Sequence, residues 1–220
     1  MFTTAFSLLS CFAFAAISSV GAVSVPSNLR RRSGNETTYA FSLPYATSAL
    51  APWVSNQTNV IHLEILAGAT AGLHAESAAI VKLLAQPVLD FTAINAAAGT
   101  IQFVTGAIET HIIYFNSLAP TSMGGGNFSL ASKNFTTQVT KDFGSYANMI
   151  ESLNDETAMV PASGWGWLVY DTKAKALDTT YTENEDLLDP TLIPLLTVDI
   201  WEHAYFVSVV ELEASLSALI

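Results

Sequence analysis

The chain has 220 residues, half of them hydrophobic, and carries 19 acidic against 8 basic side chains, a formal net charge of −11. That length and apolar content supply a substantial core and exclude a disordered chain. The acidic balance excludes nucleic acid as a partner and disfavours anionic substrates unless the site carries a local positive field.

The start, "MFTTAFSLLSCFAFAAISSVGAVSVP", is uncharged, apolar at its centre, and offers Val20-Gly21-Ala22 as a small-residue cleavage site. Residues 1–22 are expected to be a signal peptide, the uncharged start leaving an uncleaved anchor as the other reading. Residues 23–36 then form a pro-segment or linker, in which Arg30, Arg31 and Arg32 are either a processing site or a solvated charge cluster. Removing those arginines would make the chain still more acidic. Four glycosylation triplets follow, at Asn35, Asn56, Asn127 and Asn134. Cys11 is the one cysteine and lies in the signal, so the mature chain has neither disulfides nor thiol chemistry. A secreted, extracellular glycoprotein is the expectation.

Next come two alanine-rich runs with apolar residues at helical spacing, "TNVIHLEILAGATAGLHAESAAIVKLLA" and "DFTAINAAAGTIQFVTGAIETHIIYFNSL". Gln86-Pro87 separates them and Asp90 is placed to cap the second, which predicts a helical hairpin. Glu64, His74, Glu76 and Lys82 interrupt the first run too often for lipid, so no membrane span is expected in the mature form. The Pro/Gly/Ser-rich "APTSMGGGNFS" marks a boundary between domains at 37–120 and 121–220. Beyond it, "TTQVTKDFGSYANMIESL" predicts one amphipathic helix, and "WGWLVYDT", "ALDTTYT" and "LIPLLTVDI" predict strands. The fold class is α+β: an N-terminal antiparallel helical hairpin, then an α/β domain with a small three-stranded antiparallel sheet.

Within "VDIWEHAY", Asp199 and His203 stand four residues apart among apolar and aromatic neighbours. Buried groups of this kind need hydrogen bonds, an opposite charge or a metal cation. His62 and His111 sit in the two long helices, and His74 lies twelve residues after His62, about 120° around an ideal helix. Singly, each histidine is more often a core or surface residue than a ligand. Together, three imidazoles and one carboxylate without thiolate suit iron or manganese, with zinc also compatible.

From about Phe41 to Phe206 the chain resembles the iron/manganese superoxide dismutases. The resemblance rests on "LIPLLTVDIWEHAY", supported by "SLPYATSALAPW", "THIIYFNSLAP", "FGSYANMIESL" and "SGWGWL" in matching order and spacing. It implies one manganese or iron ion per chain, bound by His62, His111, Asp199 and His203. It also implies that Trp165 and Trp201 wall the site and that Glu202 reaches the partner's ligand histidine across a homodimer. The implied reaction converts superoxide to hydrogen peroxide and oxygen.

The surroundings of the implied ligands depart from the family. Leu66 and Thr70 replace a His and a Tyr that guard its entrance, Phe206 replaces a Tyr, and Ile65 a Lys. Ala107 and Pro161 stand where a Gln that bonds metal-bound solvent is expected, and the chain is expected to be short at its C-terminus, with "VVELEASLSALI" as a closing helix. Retained ligands favour a dismutase; the lost polar groups favour a secreted, non-catalytic metal-binding protein on the same scaffold.

Overall fold

The computed structural model describes residues 41–207. The signal, the linker, Asn35 and the expected closing helix lie outside these residues. Two long helices come first, α1 (Asn56–Leu84) and α2 (Phe91–Ser117). Ser55 caps α1 by accepting from the Thr58 amide at 3.0 Å, and Asp90 caps α2 by accepting from the Ala93 amide at 3.0 Å. Each cap satisfies an amide that the helix itself leaves without a partner. The helices pack as a hairpin through Leu66 and Ala69 against Ala107, Ile108 and Ile112. By length and composition α2 could also cross a membrane. Its apolar window is 22% buried, whereas its second half, from Gly106 to Ser117, is mostly packed inside the protein.

The run expected as one helix is two, α3 (Lys133–Phe143) and α4 (Tyr146–Ala158). Gly144 takes a left-handed φ of 80° and donates its amide to Thr140, ending α3, while Ser145 accepts from the Asn148 amide and starts α4. A glycine in this conformation is a helix stop, and the serine after it is a helix start. The apolar spacing hides the break because both short helices face the same core.

The sheet has the order β2–β1–β3, with β1 (Gly164–Asp171) central, β2 (Ala176–Glu183) and β3 (Leu192–Asp199) antiparallel to it. Strand β1 is buried along nearly its whole length, which explains its unbroken "WGWLV" run. Pro194 has no amide to donate and sits on edge strand β3 where the register with β1 shifts. The main core takes Tyr114 and Phe115 from α2, Met149 and Leu153 from α4, and Trp165 and Trp167 from β1. Hairpin and sheet therefore share one core, which fixes the end of α2 against β1. The β1–β3 register sets Asp199 opposite Trp165.

Candidate metal centre

Asp199 is the last residue of β3, and the chain then turns through a short helical turn, Glu202–Ala204, that carries His203. His62 lies two turns into α1 and His111 in the buried second half of α2. The ligand-type atoms of His62, His111, Asp199 and His203 all lie within 4.8 Å of one another. Asp199 Oδ2 stands 3.2 Å from Nε2 of His62 and 3.2 Å from Nε2 of His203. Nε2 of His111 stands 3.3 Å from Nε2 of His203.

Two of the ring tautomers follow from the helices. His62 Nδ1 lies 2.7 Å from the Thr58 carbonyl, and His111 Nδ1 lies 2.7 Å from the Ala107 carbonyl. A carbonyl only accepts, so Nδ1 carries a proton in both rings and Nε2 is the atom each ring turns to the cluster. His62 Nε2 thus faces a carboxylate oxygen. With His62 wholly buried and Asp199 3% exposed, water does not mediate that contact, which needs a proton or a metal ion between the two atoms. Around one cation at about 2.1 Å, neighbouring donors stand about 3.0–3.6 Å apart, which the three short contacts of 3.2, 3.2 and 3.3 Å match. Both ring nitrogens turned inward have their opposite nitrogens fixed by carbonyls, as ligating histidines generally do.

Burial pushes the His111 imidazole down from 6.5 to about 4, against the pull of Asp199. The Asp199 carboxylate is penalised by burial, but His203 and His62 at its oxygen outweigh this and hold it at about 2. Its other oxygen, Oδ1, accepts from the Trp201 amide at 2.8 Å. His111 is therefore neutral and Asp199 ionised at neutral pH, the states in which they would ligate a metal.

The remaining residues singled out in the sequence fall as follows. Trp165 meets the His111 ring edge-on at 5.0 Å between centroids, and Trp201 stacks on His203 at 6.0 Å. The Trp201 Nε1 is buried without a hydrogen-bond partner. Glu202 is exposed beside His203. A cleft of about 440 Å³, lined by Ile61, Ser163, Trp201, Glu202, His203 and Phe206, opens from the surface to His203. His74 is exposed on α1 and outside the cluster. Leu66 is buried in the hairpin seam, and the Thr70 hydroxyl donates to the Leu66 carbonyl at 2.8 Å. Ala107 is buried in the same seam, whereas Pro161 lies on an exposed turn before β1. Asn56, Asn127 and Asn134 are all exposed.

One functional candidate escaped the sequence reading. Glu185, in the β2–β3 connection, is 6% exposed, and its Oε2 is 2.9 Å from the Thr110 hydroxyl and 3.1 Å from Trp165 Nε1. Burial pushes its carboxyl up from 4.5 to about 7, against those two hydrogen bonds. Flanked by Asn184 and Asp186, it looks in sequence like one charge of a solvated turn, and no periodicity marks it.

An α+β chain whose hairpin and sheet bring three imidazoles and one carboxylate together has the make-up of a mononuclear metalloprotein. Its sequence relatives narrow the class. The C-terminal domain of the iron/manganese superoxide dismutases matches residues 131–213. The mitochondrial [Mn] superoxide dismutase of Onchocerca volvulus is 36% identical over 167 residues, covering 74% of this chain and 72% of that protein. That of Candida albicans is 32% identical over 180 residues, covering 76% and 73%. The [Fe] superoxide dismutase of Tetrahymena pyriformis is 40% identical over 107 residues, 48% of this chain and 55% of that protein. The chain belongs to the iron/manganese superoxide dismutase family.

Proposed function

We propose that His62, His111, Asp199 and His203 hold one manganese or iron ion and that the protein converts superoxide to hydrogen peroxide and oxygen. The observation that carries this reading is the convergence of the His62, His111, Asp199 and His203 ligand atoms within 4.8 Å of one another, a redox-compatible donor set. When bound, the ion supplies a one-electron couple, so that two superoxide ions and two protons give one oxygen and one hydrogen peroxide.

The chain's own residues supply the rest. Thr58 and Ala107 carbonyls hold the His62 and His111 tautomers, and the Trp201 amide orients Asp199. Trp165 and Trp201 exclude water from two sides of the imidazoles, leaving the cleft beside His203 as the approach for a small anion. Burial raises the Glu185 carboxyl to about 7, so near neutral pH it holds a proton in part of the population.

A second reading, a secreted metal-binding protein without turnover, is favoured by one observation. The Leu66 and Thr70 positions offer a buried apolar side chain and a hydroxyl bonded to its own helix, so neither relays protons. Secretion is supported by the apolar start and by the exposure of Asn56, Asn127 and Asn134. A homodimer is supported by the exposed Glu202 at the rim of the cleft.

Protein purified from the medium of a secreting eukaryotic host decides among these. Near one manganese or iron per chain with superoxide-dependent turnover supports the dismutase; a full metal complement without turnover supports the second reading. No bound metal would overturn both. Terminal sequencing, a glycosidase mobility shift and sedimentation test the leader, the sugars and the dimer.

A further inference from the structure

Asn127 stands in the middle of an exposed apolar loop. Met123 is 58% and Leu130 53% exposed, and no charged residue occurs from Ala119 to Ser132 to solvate them. Left-handed φ values at Gly124 and Gly126, with the Asn127 amide donating to the Gly124 carbonyl at 3.2 Å, fold the loop back on itself. The Leu130 side chain thereby lies over Gly124, 2.7 Å from where a Cβ would stand there, beside the residue that follows Met123.

The glycosylation triplet is fixed by the same fold. Asn127 Oδ1 accepts from the Ser129 amide at 3.0 Å and from the Ser129 hydroxyl at 2.6 Å, which leaves Nδ2, the atom that takes an N-linked sugar. Phe128, between the two, stacks on Tyr146 at 4.3 Å between centroids and packs against the main core. A sugar on Asn127 therefore starts from an anchored turn with an apolar side chain on either side of it. The same sugar bars a protein surface from the patch, which decides between the two kinds of cover. Asn56 and Asn134 stand apart from this turn, in the first turns of α1 and α3.

We propose that an N-linked glycan on Asn127 covers the Met123–Leu130 patch, the C–H faces of its first sugars lying on the two side chains and shielding the Met123 sulfur from hydrogen peroxide. The proposal rests on the reading of the protein as a secreted glycoprotein. Hydrogen peroxide, the product of the proposed reaction, passes one oxygen atom to a thioether, giving the sulfoxide and water, so an exposed methionine is the side chain at risk. Two other methionines calibrate the effect: Met159, 62% exposed at the end of α4, and Met149, wholly buried.

The test uses the full chain secreted from a eukaryotic host, treated with hydrogen peroxide and read by peptide mass spectrometry. With sugar on Asn127, Met123 is expected to oxidise at least about threefold more slowly than Met159 despite their similar exposure, with Met149 unmodified. Enzymatic removal of the glycans from the folded protein and Asn127→Gln should each bring Met123 to the Met159 rate, while Asn134→Gln leaves it shielded. The enzymatic arm needs no refolding, so it decides the matter if Asn127→Gln is not secreted. Equal rates for Met123 and Met159 in protein that carries the Asn127 sugar would overturn the proposal. Slow oxidation of Met123 that persists once the sugar is gone would overturn it too, and is the result expected if a second copy of the chain covers the patch. Protein bare at Asn127 but glycosylated at Asn56 or Asn134 would overturn the proposal alone, and protein bare at all four triplets would overturn the glycoprotein reading itself.

Discussion

His62 turns Nε2 to Asp199 Oδ2 at 3.2 Å, while its Nδ1 donates to the Thr58 carbonyl at 2.7 Å. Two electron-rich atoms in a buried site repel unless a proton or metal ion stands between them. Removal of metal should therefore lower thermal stability, with saturating metal worth about 4 kcal/mol at a thousandfold excess over Kd. Alanine at any of His62, His111, Asp199 or His203 should release the ion, whereas His74→Ala should leave metal content unchanged; elemental analysis checks both.

The same relationship gives Asp199→Asn an unusual expected outcome. An amide N–H can donate to His62 Nε2, so the metal-free variant should be at least as stable as the metal-free parent while binding manganese at least about 100-fold more weakly. Denaturant melts of the two metal-free proteins, set beside chelator titrations, measure the pair of effects. A metal-free variant much less stable than its parent would contradict the tautomer assignment.

Stability of the metal-free protein should depend on pH through two buried groups of opposite sign. The folded His111 imidazole sits at about 4 against an ordinary 6.5, so the unfolded chain binds the extra proton and stability falls as pH drops from 6.5 towards 4. Glu185 sits at about 7 against an ordinary 4.5, so the folded chain binds the extra proton and stability falls as pH rises from 4.5 through 7. Glu185→Gln removes the second effect. Relative to the parent, it should gain about 2–3 kcal/mol between pH 4.5 and pH 8, read from urea melts across that range.

Gly106→Ala should act at a distance on the metal centre. Its methyl would meet the Glu185 carbonyl oxygen at 2.0 Å, a backbone atom that gives way only if the β2–β3 connection moves. We expect a destabilisation of about 1–3 kcal/mol, as for other overpacking changes, accompanied by weaker metal binding. A variant as stable as the parent would show that the connection yields freely.

Gln at the two positions suggested by family resemblance should separate cleanly. Ala107→Gln forces a long polar side chain into the seam against Leu66, Ile108 and Ile112 and should cost about 1–3 kcal/mol. Pro161→Gln lies on an exposed turn and should change neither stability nor turnover measurably. Thermal melts and a superoxide assay on both variants check this contrast.

Much of this protein is determined by local sequence. Helical apolar spacing, the Asp90 cap and the Gln86-Pro87 break gave the hairpin, and the β-rich runs gave all three strands, because these signals act within a few residues of where they are written. The Asp199–His203 pair was visible for the same reason: four residues bridge the end of a strand and the turn after it. The break at Gly144 was written locally too, but it is masked by apolar residues that continue the helical spacing across it. Tertiary structure alone decided what surrounds those groups. Whether His62 faces a proton or a carboxylate depends on how α1 docks on the end of β3, 137 residues away in sequence. Glu185 is the clearest case. Its neighbours in sequence are those of a solvated turn, and only the contact of that turn with Gly106, Thr110 and Trp165 buries the carboxyl, raises its proton affinity and ties it to the His111 side of the site. Long-range burial sets desolvation and partners together, and no periodicity within the chain encodes either.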